Sequence, residues 1–190
     1  LILLDVSEPA LYSIEQELRG SAKTSCELIP VLGSASDAGL LQKLFTDHEV
    51  QVVFHAAAYK HVPLVEANPI AGLANNALST RALCSAAVAS EVGQVVLIST
   101  DKAVRPSNVM GATKRLAEMI IQAFAKQAEQ KTSASQGPTT IFSMVRFGNV
   151  LGSSGSVVPL FRPPELYTAL HAACLPMQRV CPCSWSWQCS

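Results

Sequence analysis

The 190-residue chain carries 14 basic and 14 acidic side chains, so only 15% of it is charged, 49% is hydrophobic and the formal net charge is zero. That balance excludes a disordered chain and, with a pI near 7.1, a protein that holds nucleic acid through bulk positive charge. No stretch is apolar enough to suggest a membrane span, and the opening LILLD has neither the basic leader nor the cleavage site of a signal peptide.

In chain order, two textures alternate. Leu1–Asp5 is a continuous apolar run, the mark of a strand buried on both faces. Without a starting methionine, the chain is expected to be a fragment that opens inside that strand. Ser7 suits a helix N-cap, and Leu11, Ile14 and Leu18 space a helix ending near Gly20. Glu27–Leu32 predicts a second strand. Ser36 or Asp37 then caps a helix carrying Leu40, Leu41, Leu44 and Phe45. Gln51–His55 predicts a third strand, followed by the small residues Ala56, Ala57 and Ala58. A long helix is expected over 69–90, a fourth strand over Gln94–Ser99 and a helix from Gly111 to about 130, with Leu116, Ile120 and Phe124 on its apolar stripe. Residues 131–138 read as a polar loop, and Thr140–Phe147 as a fifth strand.

Apolar strands separated by helices predict an α/β, Rossmann-type, doubly wound parallel sheet, truncated at its N-terminus, over 1–162. Ligands of such sheets sit at the carboxyl ends of the strands. From Pro163 the texture breaks. Residues 163–190 hold four of the eleven prolines, four of the six cysteines and both tryptophans, with no sustained period. They are expected to be an unstructured or aberrant tail. Cys181 and Cys183 have the wrong spacing for a zinc site, so no metal is expected. The body keeps only Cys26 and Cys84, which fits a reducing, cytoplasmic setting rather than a disulfide framework.

The residues after the strands are the ones that bear chemistry. Asp5 ends the first strand, where a carboxylate can take both adenosine ribose hydroxyls and repel a 2'-phosphate, favouring NAD over NADP. The same residue also suits a simple turn or cap. The glycine-rich phosphate loop of a dinucleotide fold belongs upstream of Leu1. Met110 and Lys114, four apart, share a helical face. Asp101 and Lys102 read by themselves as an exposed ion pair, His61 as a loop histidine, and Gly148–Ser156 as either a phosphate-approaching or a merely flexible run.

Three strings carry a more specific message: HAAAYKHVPLVEANP (55–69), STDKAVRPSNVMGATKRLAE (99–118) and VRFGNVLGSSGSVVPLF (145–161). They resemble the CapD-like polysaccharide-biosynthesis family, UDP-N-acetylglucosamine 4,6-dehydratases of the extended short-chain dehydrogenase/reductase superfamily. The resemblance covers 1–162. It implies oxidation at carbon 4 of the sugar, loss of water across carbons 5 and 6, and reduction at carbon 6, with bound NAD regenerated.

Thr100 would bond the carbon 4 hydroxyl, Asp101 and Lys102 would be the elimination acid and base, and Lys114 would hold the nicotinamide ribose. Burial beside the sugar is expected to raise Asp101. Met110 stands where the superfamily has a tyrosine, as it does in a subgroup of large, often membrane-anchored members. Met110 as plain packing is the alternative. Tyr59, Lys60, His61 and Asn149 would contact the nucleotide sugar, and Ser34 and Ala35, with Ala56–Ala58, the cofactor. Ser34 replaces the acid usually found after Gly33, and Asp37 there reads as a cap. A homo-oligomer is expected for the intact family member, with any membrane anchor upstream. The rival readings are a nucleotide-sugar epimerase of the same superfamily, against which Asp101 and Lys102 argue, and an inactive fragment or NAD-binding module.

Overall fold

A computed structural model describes residues 1–21, 26–133 and 139–148, with the side chains of 131–133 left aside. Among these residues are five strands: β1 (Ile2–Asp5), β2 (Ile29–Leu32), β3 (Val52–His55), β4 (Gln94–Thr100) and β5 (Ile141–Phe147). The helices are α1 (Glu8–Gly20), α2 (Ala38–Asp47), α3 (Val62–Ala67), α4 (Pro69–Leu73), α5 (Ser79–Ala89) and α6 (Val109–Ser133). A π-helical turn, Ala74–Leu78, joins α4 to α5, and a single 3-10 turn, Asp101–Ala103, follows β4.

Local chemistry explains the element ends. Ser7 Oγ accepts from the Ala10 amide at 3.4 Å and Asp37 Oδ1 from the Leu40 amide at 3.0 Å, each satisfying an orphan donor at a helix start. At their far ends, α2 and α5 close alike. Glu49 and Glu91 take positive φ (47° and 53°), and the next amide reaches back, Val50 to Phe45 O and Val92 to Ala87 O. These Schellman turns stop each helix and launch the strand that follows.

Every strand pair is parallel. β1 pairs with β2 (Ile2 with Ile29), β3 with β4 (Val52 with Gln94), and β4 with β5 from Gln94–Ile141 to Thr100–Phe147. The strands fall into two sheets, β1–β2 and β3–β4–β5, rather than one continuous ladder. Side chains join what hydrogen bonds do not: Leu4 of β1 and Val53 of β3 pack on one core built from Leu41 and Phe45 of α2, Leu83, Cys84 and Ala87 of α5, Val95 and Leu97 of β4, and Ala117 and Ile121 of α6.

The helical stretch expected over 69–90 runs without a gap through α4, the π-turn and α5, and α3 precedes it. Asn68 (φ −135°, ψ 60°) breaks the helix between two proline-bearing starts, Pro63 and Pro69. α6 runs through 131–133, where a loop was expected. Its buried face is only in part the apolar stripe: Leu116 is exposed, Ile120 is half-buried and Phe124 packs against the core, while Met110, Thr113, Lys114, Ala117, Glu118 and Ile121 are buried. Three of those six are polar, so a period read from apolar residues alone places the face off its centre. Leu1–Gly148 forms one compact unit. The expected boundary at 162, the tail, and Asn149 lie outside the described residues. No described helix is long and apolar enough to cross a membrane.

Candidate active site

Parallel pairing brings the residues that follow β3, β4 and β5 to one end. Thr100 pairs with Phe147, and a Cβ built on Gly148 would lie 3.8 Å from Asp101 Oδ2. At that end Thr100 Oγ1 donates to Asp101 Oδ1 at 3.0 Å, and Lys102 Nζ donates to the same oxygen at 3.3 Å. The tight turn makes this triplet: Thr100 caps it through the Lys102 amide at 3.4 Å. Both Asp101 and Lys102 face solvent. The Thr100 hydroxyl, and then Lys102, hold the Asp101 carboxyl below its ordinary value. The raised value was expected for a carboxylate buried beside the sugar, whereas here the carboxylate is exposed and doubly bonded.

Beneath the triplet lies a buried layer. Lys114, 6% exposed, donates from Nζ to the Ile98 carbonyl at 2.8 Å. Burial pushes its ammonium down to about 8, against the pull of Glu118. Met110 is buried one turn earlier on the same face, as their spacing predicts. Burial, helped by the Lys114 charge, pushes His55 at the end of β3 down to about 4, so its imidazole is neutral. Thr80 Oγ1 donates its only proton to Asn76 O at 2.8 Å, so it accepts from His55 Nε2, 3.0 Å away. The proton therefore sits on Nε2. Burial raises the Cys84 thiol to about 12, which leaves it an inert packing group.

Three residues that the sequence reading passed over, Glu118 and Asn76 buried and Glu66 exposed, brace this layer. Glu118 accepts from Ser99 Oγ and Arg146 Nε on one oxygen (both 2.7 Å), and from Arg146 Nη2 (2.7 Å) and Arg115 Nη1 (2.9 Å) on the other. Burial alone would raise its carboxyl, but these donors outweigh it and hold it at about 2. Asn76, in the π-turn, accepts from the Tyr59 amide at 2.7 Å and donates to the Tyr59 carbonyl and to Thr113 Oγ1, both at 3.0 Å. Glu66 of α3 accepts from the Val109 amide at 2.6 Å, at the start of α6. A polar pair within an apolar helix (Asn75, Asn76) and an arginine within an apolar strand (Arg146) were the signals available.

The remaining expected residues divide. Ala56, Ala57, Tyr59, Lys60 and His61 are exposed after β3, with Ala58 half-buried, and His61 starts α3 without a side-chain cap. Asp5 is exposed at the end of β1. Its Oδ1 accepts from the Ser7 amide at 2.7 Å, and its other oxygen has no hydrogen-bond partner among the described residues. Ser34 Oγ accepts from the Ser36 amide at 3.1 Å, Ala35 lies in that turn, and Asp37 is the cap it was expected to be. Among the described residues no cluster of metal ligands occurs.

Parallel strands, helical crossovers and polar residues gathered at strand ends define a Rossmann-type α/β fold. The chain matches the model of the family described as polysaccharide biosynthesis protein over residues 1–164, and it belongs to that family. It is 46% identical over 162 residues to the capsular polysaccharide biosynthesis protein CapD of Staphylococcus aureus, covering 85% of this chain and 26% of CapD. Over 114 residues it is 43% identical to the UDP-glucose 4-epimerase of Rickettsia canadensis, covering 60% of this chain and 31% of that protein. The X-ray structure of Pen from Bacillus thuringiensis superposes with a TM-score of 0.70 at 32% identity, over 84% of this chain and 46% of that one. The chain thus spans about a quarter of the length of CapD.

Proposed function

We propose that this chain carries the central, chemistry-bearing part of an NAD-dependent nucleotide-sugar 4,6-dehydratase that acts on UDP-N-acetylglucosamine in polysaccharide biosynthesis. The observation that carries the reading is the Thr100–Asp101–Lys102 triplet at the carboxyl end of β4, with the Lys114 ammonium buried behind it. An elimination needs an acid for the departing hydroxyl and a base for carbon 5, and a 4-epimerisation, which breaks neither of those bonds, needs no such pair.

The residues suit a dinucleotide. Among the described residues Asp5 keeps one free carboxylate oxygen for ribose hydroxyls, Ala56 and Ala57 leave room at the strand end, and Lys114 spends one of its three ammonium protons on Ile98 and keeps two. NAD, when bound, would accept and return the hydride. Thr100 and Lys114 would orient the carbon 4 hydroxyl and support its negative charge as its proton passes to solvent water; a solvent proton would recharge Lys102 at the end of the cycle. Tyr59, Lys60, His61 and Asn149 would hold the nucleotide sugar.

Asp101 and Lys102 then divide the elimination. As they stand they are a carboxylate and an ammonium sharing one hydrogen bond. Moving that one proton from Lys102 Nζ to Asp101 Oδ1 gives a neutral amine and a carboxylic acid, the base for carbon 5 and the acid for the departing hydroxyl. Exclusion of water by the sugar favours the neutral pair, because desolvation penalises both ions. Met110 has no proton to offer and packs under the site.

The test is a chimera in which residues 1–162 replace the matching segment of CapD. With UDP-N-acetylglucosamine in deuterated water, the chimera should incorporate deuterium at carbon 5. Lys102→Ala and Asp101→Asn should stop that incorporation while cofactor reduction persists. Carbon 4 inversion without solvent deuterium would support the epimerase reading instead, and exchange at the parent rate in Lys102→Ala would remove that lysine from the role of base.

A further inference from the structure

Lys114 and Glu118 lie one turn apart on the buried face of α6, and each is bonded to β4 at consecutive residues. Lys114 Nζ donates to Ile98 O, and Ser99 Oγ donates to Glu118 Oε1. Glu118 is wholly buried and its two oxygens are saturated by four donors, two of them from Arg146 of β5. We propose that Glu118 is a positioning residue for Lys114: it docks α6 on β4 in the register that brings the ammonium to the end of that strand, and its buried charge keeps that ammonium cationic. The use made of Lys114 rests on the dehydratase reading, but the geometry does not.

The charged and titratable neighbours can be named from each packed element. β3 contributes His55, which is neutral; β5 contributes Arg146; α6 itself contributes Arg115 and Glu118; and the turn after β4 contributes Asp101 and Lys102, paired with each other in solvent. The two arginines are bonded to Glu118, and it is the carboxylate that pulls Lys114 back up while burial pushes it down to about 8. At that value roughly nine in ten Lys114 side chains are charged at pH 7. Removing an opposite charge at this range lowers a buried amine by about one pH unit or more, which would leave about half of them neutral.

The experiment follows Lys114 itself in the complete chain. With lysine labelled at Cε with carbon-13, its titration is read by NMR, the resonance being identified by its loss in Lys114→Arg. The parent midpoint should lie near 8, and Glu118→Gln should move it down by about one pH unit. A role confined to packing predicts the opposite sign: a loosened α6 admits water, and the midpoint climbs toward the ordinary lysine value. An unchanged or raised midpoint in folded Glu118→Gln overturns the proposal.

If that variant does not fold, Glu118→Gln with Arg146→Leu leaves neither ion buried alone and should lower the midpoint in the same sense. Ser99→Ala, which keeps the carboxylate, should leave the midpoint in place. Failure of both carboxylate variants to fold beside a folded Ser99→Ala would assign Glu118 to structure alone and also overturn the proposal. A lowered midpoint together with a chimera that exchanges no deuterium would sustain this inference and remove the dehydratase reading.

Discussion

His55 offers a direct measure of how firmly the layer under the strand ends is sealed. Its imidazole is 2% exposed and burial holds it near 4, whereas the unfolded chain would protonate it near 6.5. Above pH 6.5 both states are neutral and the fold keeps its full stability. As pH falls toward 4 the unfolded state takes up a proton that the folded state refuses, and stability drains away. Integrated from about pH 7.5 to about pH 5, one such group removes about 2 kcal/mol. His55→Gln is the informative change, because the glutamine amide can still donate to Thr80 Oγ1 and does not titrate. Urea unfolding followed by far-ultraviolet circular dichroism suits the chain, since both tryptophans lie in 163–190. The parent should lose about 2 kcal/mol more than the variant over that interval. Equal losses in the two proteins would show that His55 titrates freely, and the sealed layer would be refuted.

Three further changes probe the same region. Gly111→Ala should destabilise the fold by about 2 kcal/mol or more by urea titration, because a Cβ there collides with the Lys102 carbonyl and lies 3.2 Å from Pro106; no loss would mean that the 101–103 turn is free to move. Asn76→Asp, which swaps two satisfied donors for acceptors facing the Tyr59 carbonyl and Thr113 Oγ1, should cost about 2–4 kcal/mol and abolish amide protection at Tyr59 in hydrogen exchange. Lys114→Met should stabilise the chain at pH 7 by about 1–2 kcal/mol, since relief of a burial penalty of about 3 kcal/mol exceeds the loss of the Ile98 bond. Parent stability should also rise as pH climbs from 8 toward 10.5, where the unfolded lysine still binds its proton and the folded one does not, and that rise should vanish in the variant.

What the sequence showed depended on whether apolar spacing or polar pairing decides a feature. The strands were legible as apolar runs, Leu1–Leu4, Val52–Phe54 and Val95–Ile98, but the burial on both faces expected from such runs holds only for β4: β1 is half-buried, and Val52 and Phe54 of β3 are exposed. The caps Ser7 and Asp37 were legible because capping is local. The buried face of α6 was not, because Lys114 and Glu118 count as surface residues until Ile98, Ser99 and Arg146 come to meet them across gaps of 16, 19 and 28 residues. Asn76 was hidden by a π-turn, whose extra residue per turn defeats a 3.6-residue count. The split between β1–β2 and β3–β4–β5 was invisible for a related reason: apolar runs predict strands, not which edges meet. The position of Asp101 at the end of β4 was legible, but the bond it accepts from the Thr100 hydroxyl was not, because that depends on the shape of the turn.

These long-range pairings share one helix. Val109 is held by Glu66 of α3, Thr113 by Asn76 of the π-turn, Lys114 by Ile98 of β4, and Glu118 by Ser99 of β4 and Arg146 of β5. Each turn of α6 from 109 to 118 thus carries a polar tether to a different neighbour. Apolar packing alone tolerates a helix that slides or rotates slightly, whereas directional bonds at 2.6–3.0 Å do not. The exposed residues that would touch ligand, Asp5, Ala56, Tyr59, Asp101 and Lys102, stand on elements tied to that helix or to the same core. Changes among the exposed set should therefore alter chemistry with little loss of stability, while changes among the tethers should alter both together. Replacement of Lys114 alone should lower function and raise stability, because among the described residues it is the one buried ion in the layer whose desolvation is not matched by its partners.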